Sequence, residues 1–250
     1  MKNILLYPIG STSASRYAME FLTRKGIPMV DHPTPDATHL LLDVPSFGNN
    51  GQLRGGGDIE RILERLPQYI TVIGGNLDHP ALEDYRTMDL LQDEMYLAQN
   101  AAITAECALQ AAAGHLTTTF SDSPALVIGW GRIGKCLGQL LKALGSDVTI
   151  ASQNPSHRAM AQALGFSVTD PAADPDLSRY RILFNTAPAP VFSSQKLAQC
   201  KNCALIDLAS KLSLLSDDVI WARGLPAIHA PETSGNLIGQ TVLRRIREGL

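Results

Sequence analysis

The sequence predicts an α/β protein made of two doubly wound, parallel-sheet (Rossmann-like) domains joined by a long helix. Three observations carry that expectation. Strand-like apolar runs alternate with helical patterns in both halves of the 250-residue chain, the rhythm of parallel sheets with helical crossovers. A Gly-x-Gly-x-x-Gly turn, "GWGRIG", stands between one such run and a helical pattern. Between the halves, "LLQDEMYLAQNAAITAECALQAAAGHL" runs from Leu90 to Leu116 without a proline, and alanine and leucine dominate it.

Taken in order, "NILLYPI" reads as a first strand, "GSTSAS" as a polar turn, and Arg16 to Lys25 as a helix. A short "IPMV" and a buried-looking "THLLLDV" follow, then the loop "SFGNNGQLRGGG", the helix "DIERILERL" and the strand "YITVIGG". The glycines of that loop are too irregular for a phosphate loop, and no Gly-Lys-Ser/Thr follows them. These elements define an N-terminal α/β domain over 1–98, on the substrate side of a cleft, with a connector helix over 99–119. A nucleotide domain over 120–235 holds the strands "ALVIG", "DVTIAS", "RILFNTAP" and "CALIDLAS", with "LPAIHAP" as a candidate short strand. The last segment reads as a terminal helix over 236–250, with Thr233 or Ser234 as its N-cap and basic residues in its last turns.

Composition narrows the function classes. Apolar residues make up 45% and charged residues 18%, which fits a globular protein with a sizeable core. A net charge of −3 gives no reason to expect nucleic acid or a membrane surface as partner. No signal peptide or membrane span is read, so the expected location is cytoplasmic. Among the four cysteines, "CKNC" has redox or metal spacing, but no second pair completes a zinc site, so no metal is expected. Cys203 reads as a buried strand residue.

The glycine turn carries the chemistry. Gly129 permits the strand-to-helix turn, Gly131 lets backbone approach a pyrophosphate, and Gly134 lets the helix pack on the sheet. The helix start, with Arg132 and Ile133, offers amides to the phosphates. An NAD site favours Asp or Glu at the end of the next strand, but this chain reads Ser152, Gln153 and Asn154, with Arg158 beyond. A carboxylate would repel a 2′-phosphate and a guanidinium would hold one, so NADP is the expected cofactor, with NAD as the alternative. "FNTAPAP" brings Asn185, Thr186 and Ala187 to the sheet edge where the cofactor passes, and "IDLASK" brings Asp207 and Lys211. Asp207 reads equally well as a cap or as a partner of Lys211. His229, in "GLPAIHAPETSG", and Glu106, on the connector, are acid/base candidates; each also reads as structural or solvated.

These stretches together resemble the family of dipicolinate synthase A subunits. The resemblance rests on "NAAITAECALQAA", the glycine turn with its helix and following strand, "FNTAP", "IDLASK" and "GLPAIHAPETSG", and it covers approximately residues 100 to 250. The chain departs from the family pattern at Lys211, where the family usually has Arg, and at Ala227 and Glu232 in the last motif. The resemblance implies an NADP-dependent oxidation of a dihydrodipicolinate-type intermediate to dipicolinate, an aromatic dicarboxylate. Arg132 and Lys211 would then face the substrate carboxylates, and Glu106 or His229 would accept the proton. A flavin-binding B subunit is implied as partner, together with a homo-oligomeric assembly. Two other readings stay open: a reductase of another small oxo- or hydroxy-acid, and a nucleotide-binding subunit without chemistry of its own.

Overall fold

The computed structural model describes residues 4–48 and 50–249; Asn3, Asn49 and Leu250, which fall within the stretches named above, lie outside the described residues. The chain divides into two compact units, one of Met1–Asn100 with Pro226–Leu250 and one of Ala101–Leu225.

In the first unit the strands are β1 (Leu6–Pro8), β2 (His39–Leu41), β3 (Thr71–Gly74) and β4 (Arg86–Asp89), all parallel and side by side in chain order. The helix α1 (Ser13–Arg24) follows β1, and the short α2 (Ile59–Leu63) precedes β3. Segment 28–30 extends the sheet at the other side of β1. Leu6 donates its amide to the Pro28 carbonyl at 3.0 Å, and Val30 donates to the Leu6 carbonyl at 2.9 Å, with a parallel bridge to Met29. The chain therefore steps one way from β1 and then returns past it to β2, which is the double winding expected of this unit, reversing at β1. The "IPMV" run supplies the missing strand, reduced to one bridge because Pro28 has no amide to donate. Leu40, Leu42, Val72 and Ile70 form a buried cluster with Ile59 and Leu63 of α2.

The helix α3 (Glu94–Ala113) leads into the second unit. It begins earlier and ends earlier than the expected 99–119. Its start is fixed by Asp93, whose Oδ1 accepts the Tyr96 amide at 2.9 Å. Its end comes where Gly114 and the β-branched run Thr117–Thr119 disfavour helix.

The second sheet holds β5 (Ala125–Ile128), β6 (Val148–Ala151), β7 (Ser167–Thr169), β8 (Ile182–Asn185), β9 (Ala204–Asp207) and β10 (Val219–Trp221) in the order β10-β9-β8-β5-β6-β7, all parallel. The winding reverses at β5. Its helices are α4 (Arg132–Ala143), α5 (Pro155–Ala163) and the short α6 (Ser194–Leu197). The four inner strands are buried along their whole length, as continuous apolar runs require. The outer strands β7 and β10 are three residues long and half-exposed, so they carry no such run.

"LPAIHAP" is not a strand. It forms α7 (Leu225–His229), broken from α8 (Pro231–Arg247) at Ala230. The terminal helix thus starts before the expected 236. Pro231 takes its first position, where a fixed φ and a missing amide suit a helix start, and neither Thr233 nor Ser234 caps it. Helix α8 packs on α1 within the first unit. Gly235 lies so close to α1 that an added Cβ would run into the Ala14 carbonyl oxygen. No helix among the described residues is long and apolar enough to cross a membrane.

Candidate nucleotide site

The carboxyl ends of β5 and β8 flank the point where the second sheet reverses, the place at which open α/β sheets bind ligands. Gly129 follows β5 with φ +99°, a conformation that L side chains rarely adopt. An added Cβ there would lie 2.5 Å from the Thr186 hydroxyl. At Gly134 it would overlap the Gly129 carbonyl oxygen, so the first turn of α4 rests directly on the loop backbone. Thr186 explains this closeness: its amide and its hydroxyl both donate to the Ile128 carbonyl, at 2.8 and 2.9 Å.

Gly131 differs from both. It is exposed, its φ is negative, and a Cβ would meet no atom within 4 Å. The protein sets no steric demand for glycine there. As N-cap of α4 it also offers no side-chain acceptor to the first amides of a 12-residue helix. Arg132 is exposed and Ile133 half-buried at that helix start. The sequence places a small residue where the protein leaves space, and a pyrophosphate against the helix start fits that space.

At the end of β6 no carboxylate is present. Ser152 is buried, and its hydroxyl accepts the Asn154 amide at 3.3 Å and lies 3.5 Å from His157 Nδ1. Gln153 is exposed, and Asn154 caps α5. Arg158 is already engaged. Its Nη1 donates to the carbonyls of Ser152 and Gln153 at 2.6 and 3.0 Å, and its Nη2 pairs with Asp170, beyond β7, at 2.9 Å. The guanidinium therefore braces the loop, and its charge is matched by a carboxylate.

Asn185 and Asp207 form one buried network rather than a cofactor surface. Asn185 Nδ2 donates to Asp207 Oδ1 at 2.9 Å and to the Ala187 carbonyl at 3.1 Å, while its Oδ1 accepts the Ala187 amide at 3.1 Å. Asp207 is fully buried and also accepts the amides of Ala209, Ser213 and Leu214 at 2.9, 2.6 and 2.8 Å. Its alternatives resolve towards structure: the carboxylate shapes the loop after β9, and its partners are amides, not Lys211. Thr186 and Ala187, half-buried beside Gly129, are the members of that segment that face the loop.

The catalytic candidates Glu106, Lys211 and His229 are all exposed, on α3, after β9 and at the end of α7. Sequence reasoning missed a second polar cluster, at the carboxyl edge of the first sheet. Asp43 is buried and accepts the hydroxyls of Thr12 (2.8 Å) and Ser15 and the amide of Ser11 (3.0 Å). The signal was present as "GSTS" after one strand and an aspartate ending the next. Among the described residues no group of three His, Cys, Asp or Glu could hold a metal ion.

The sequence matches no family model. It matches no curated protein. Solved structures do match in fold. The dipicolinate synthase A subunit from Bacillus halodurans superposes with a TM-score of 0.82 at 19% identity, over 97% of this chain and 98% of that one. Its counterpart in the dipicolinate synthase of Bacillus subtilis gives 0.83 at 19% identity, over 99% and 97%. A transhydrogenase from Sinorhizobium meliloti gives 0.70 at 13% identity, over 96% and 92%. The resemblance read from the sequence is thus matched at the level of fold across nearly the whole chain, including the N-terminal hundred residues.

Proposed function

We propose that this chain is an oxidoreductase subunit that binds a nicotinamide dinucleotide at the Gly129–Gly134 turn and acts on a dihydrodipicolinate-type dicarboxylate. Gly131 carries the reading: a glycine that the fold does not need, exposed at a helix start, has its reason in a ligand. A bound nicotinamide would supply the hydride acceptor; the hydride and a proton would both leave the dihydrodipicolinate-type ring, which thereby becomes aromatic. The chain's own residues would hold the pyrophosphate over the start of α4, keep the ring in register, and take the proton. Arg132 and Lys211 are the cations proposed for the carboxylates, and Glu106 or His229 the proton acceptor. A flavin-binding B subunit and a homo-oligomeric assembly are proposed with them, as is a cytoplasmic location.

NADP is the proposed form. The support is the absence of a carboxylate at the end of β6, and not Arg158, whose charge is matched by Asp170. The preference should therefore be modest. The exposure of Glu106, Lys211 and His229 favours a second reading, in which this chain holds the nucleotide and a partner completes the chemistry. Calorimetric titration of the purified chain with NADPH and NADH tests the first claim. Turnover assays with and without the flavin subunit separate the two readings, because a supporting subunit binds nucleotide without turnover of its own.

A further inference from the structure

The amino edge of the second sheet, opposite the glycine turn, carries a second constellation. Arg181 precedes β8, Cys203 precedes β9 and Asp218 precedes β10, and all three line an open cavity of about 770 Å³ with His115, Cys200 and Lys201. In a parallel sheet the two edges are distinct surfaces. Four residues of β8 separate Arg181 from the Asn185 edge, about 13 Å at 3.3 Å per residue. The cavity does not belong to the nucleotide site.

The segment Cys200-Lys201-Asn202-Cys203 is folded for pairing. The Cys200 amide donates to the Leu197 carbonyl at 2.9 Å at the end of α6, and Asn202 takes a left-handed φ of +57° that turns the chain back. The two thiols are free and half-buried, and each donates to a carbonyl, Cys200 to that of Leu177 at 3.9 Å and Cys203 to that of Ala204 at 3.8 Å. The neighbouring Cys203 side chain, with help from Lys196, holds the Cys200 thiol below its usual range against the effect of burial. The neighbouring Cys200 side chain, then burial, pushes the Cys203 thiol up. The other two cysteines move the opposite way from Cys200: burial raises both Cys107 and Cys136, and the Glu106 charge adds to the effect at Cys107. Of the charged side chains lining the cavity, Arg181 and Lys201 are cationic and Asp218 alone is anionic, so the lining favours an anionic ligand.

We propose that Cys200 and Cys203 form a redox pair that exchanges with a small anionic disulfide admitted by this cavity. The Cys200 thiolate attacks one sulfur of the ligand, the ligand's sulfur–sulfur bond breaks, and one ligand thiolate leaves and takes up a proton. Cys203 then loses its proton, attacks the Cys200 sulfur and expels the second ligand thiolate, which is protonated in turn. Two protein thiols become one disulfide, one ligand disulfide becomes two thiols, and two electrons pass from protein to ligand. Cys200, with the Lys196 charge near it, is the attacking residue and Cys203 the resolving one.

Intact mass and peptide mapping of the full chain after incubation with glutathione disulfide test this directly. The expected product is a Cys200–Cys203 disulfide, reversible with excess reduced glutathione. Cys203→Ser should accumulate one glutathione on Cys200, whereas Cys200→Ser should leave Cys203 unmodified. Lys201→Gln with Arg181→Gln should slow the reaction with glutathione disulfide by about three- to tenfold and leave the rate with uncharged hydroxyethyl disulfide within about twofold. Thiols that stay reduced in excess glutathione disulfide would overturn the proposal. So would adducts on Cys107 or Cys136 instead, or equal trapping on either member of the pair. The wild-type measurement depends on no substitution and stands if a variant fails to fold.

Discussion

A methyl group added at Gly134 would share space with the Gly129 carbonyl oxygen, whereas one added at Gly131 meets no protein atom within 4 Å. That difference separates folding from binding in one turn. Gly134→Ala should lower stability by about 1–3 kcal/mol, because the clash is with backbone and cannot swing away. Gly131→Val should leave the melting temperature nearly unchanged and abolish nucleotide binding in calorimetry. If Gly131→Val still binds nucleotide normally, the turn is only a turn. The same scale holds the cofactor preference. Ser152→Asp places a carboxylate at the end of β6, where it repels a 2′-phosphate and accepts ribose hydroxyls, so it should shift the NADPH-to-NADH affinity ratio towards NADH by about tenfold or more. An unchanged ratio would show that the ribose lies elsewhere. Glu106→Gln preserves shape and removes a base; a general base would cost a hundred- to ten-thousand-fold in turnover, about the range such groups supply, with nucleotide affinity kept. A loss under about tenfold would move the proton acceptor to His229.

Helix α8 is held by two kinds of contact, and each makes its own prediction. Gly235 fits against the Ala14 carbonyl, but Gly239 fits against the ring of Phe21, 2.7 Å from where its Cβ would stand. Gly235→Ala should therefore lower the melting temperature more than Gly239→Ala, since a ring can rotate and a carbonyl cannot. Asp93 joins α8 to α3: it caps Tyr96 and pairs with Arg244 at 2.6 Å. Burial pushes its carboxyl up, but the Arg244 and Tyr96 hydrogen bonds and the charges of Arg244 and Arg245 outweigh it and hold the group below its ordinary value. A depressed carboxyl stabilises the fold fully above the unfolded value near 3.9 and loses that contribution as pH falls through the folded one. Asp93→Asn should cost about 1–3 kcal/mol at pH 7 in denaturant titrations, with the gap to wild type narrowing below about pH 4. The inner strands of both sheets were legible because they are continuous apolar runs. β4, β7 and β10 were not, because short, half-exposed edge strands such as Arg86–Asp89 carry neither a run nor a clean alternation.

At the scale of the molecule, the glycine turn was legible because its context spans only about twenty residues, from β5 through α4 to β6. What escaped was longer in range. Arg158 reads as a phosphate ligand until Asp170 arrives from beyond β7, and Asp207 reads as a site carboxylate until three amides of its own loop close on it. Neither partner is marked by spacing, because each is brought in by tertiary packing. The placement of α8 was not legible for the same reason: the sequence marks a terminal helix over 236–250, and only tertiary packing assigns it to the first unit.

That path of the chain has a consequence in time. The 125 residues of Ala101–Leu225 are synthesised between α1 and the helix that covers it. At roughly 5–20 residues per second, the small-residue face of α1, with Ala14 and Ala18, waits on the order of ten seconds for its partner. Over that interval the second unit already has every strand of its sheet and can fold first. Chains truncated after residue 230 should show it: brief proteolysis should spare 101–225 and digest 4–100, and the opposite pattern would mean that the first unit closes without α8.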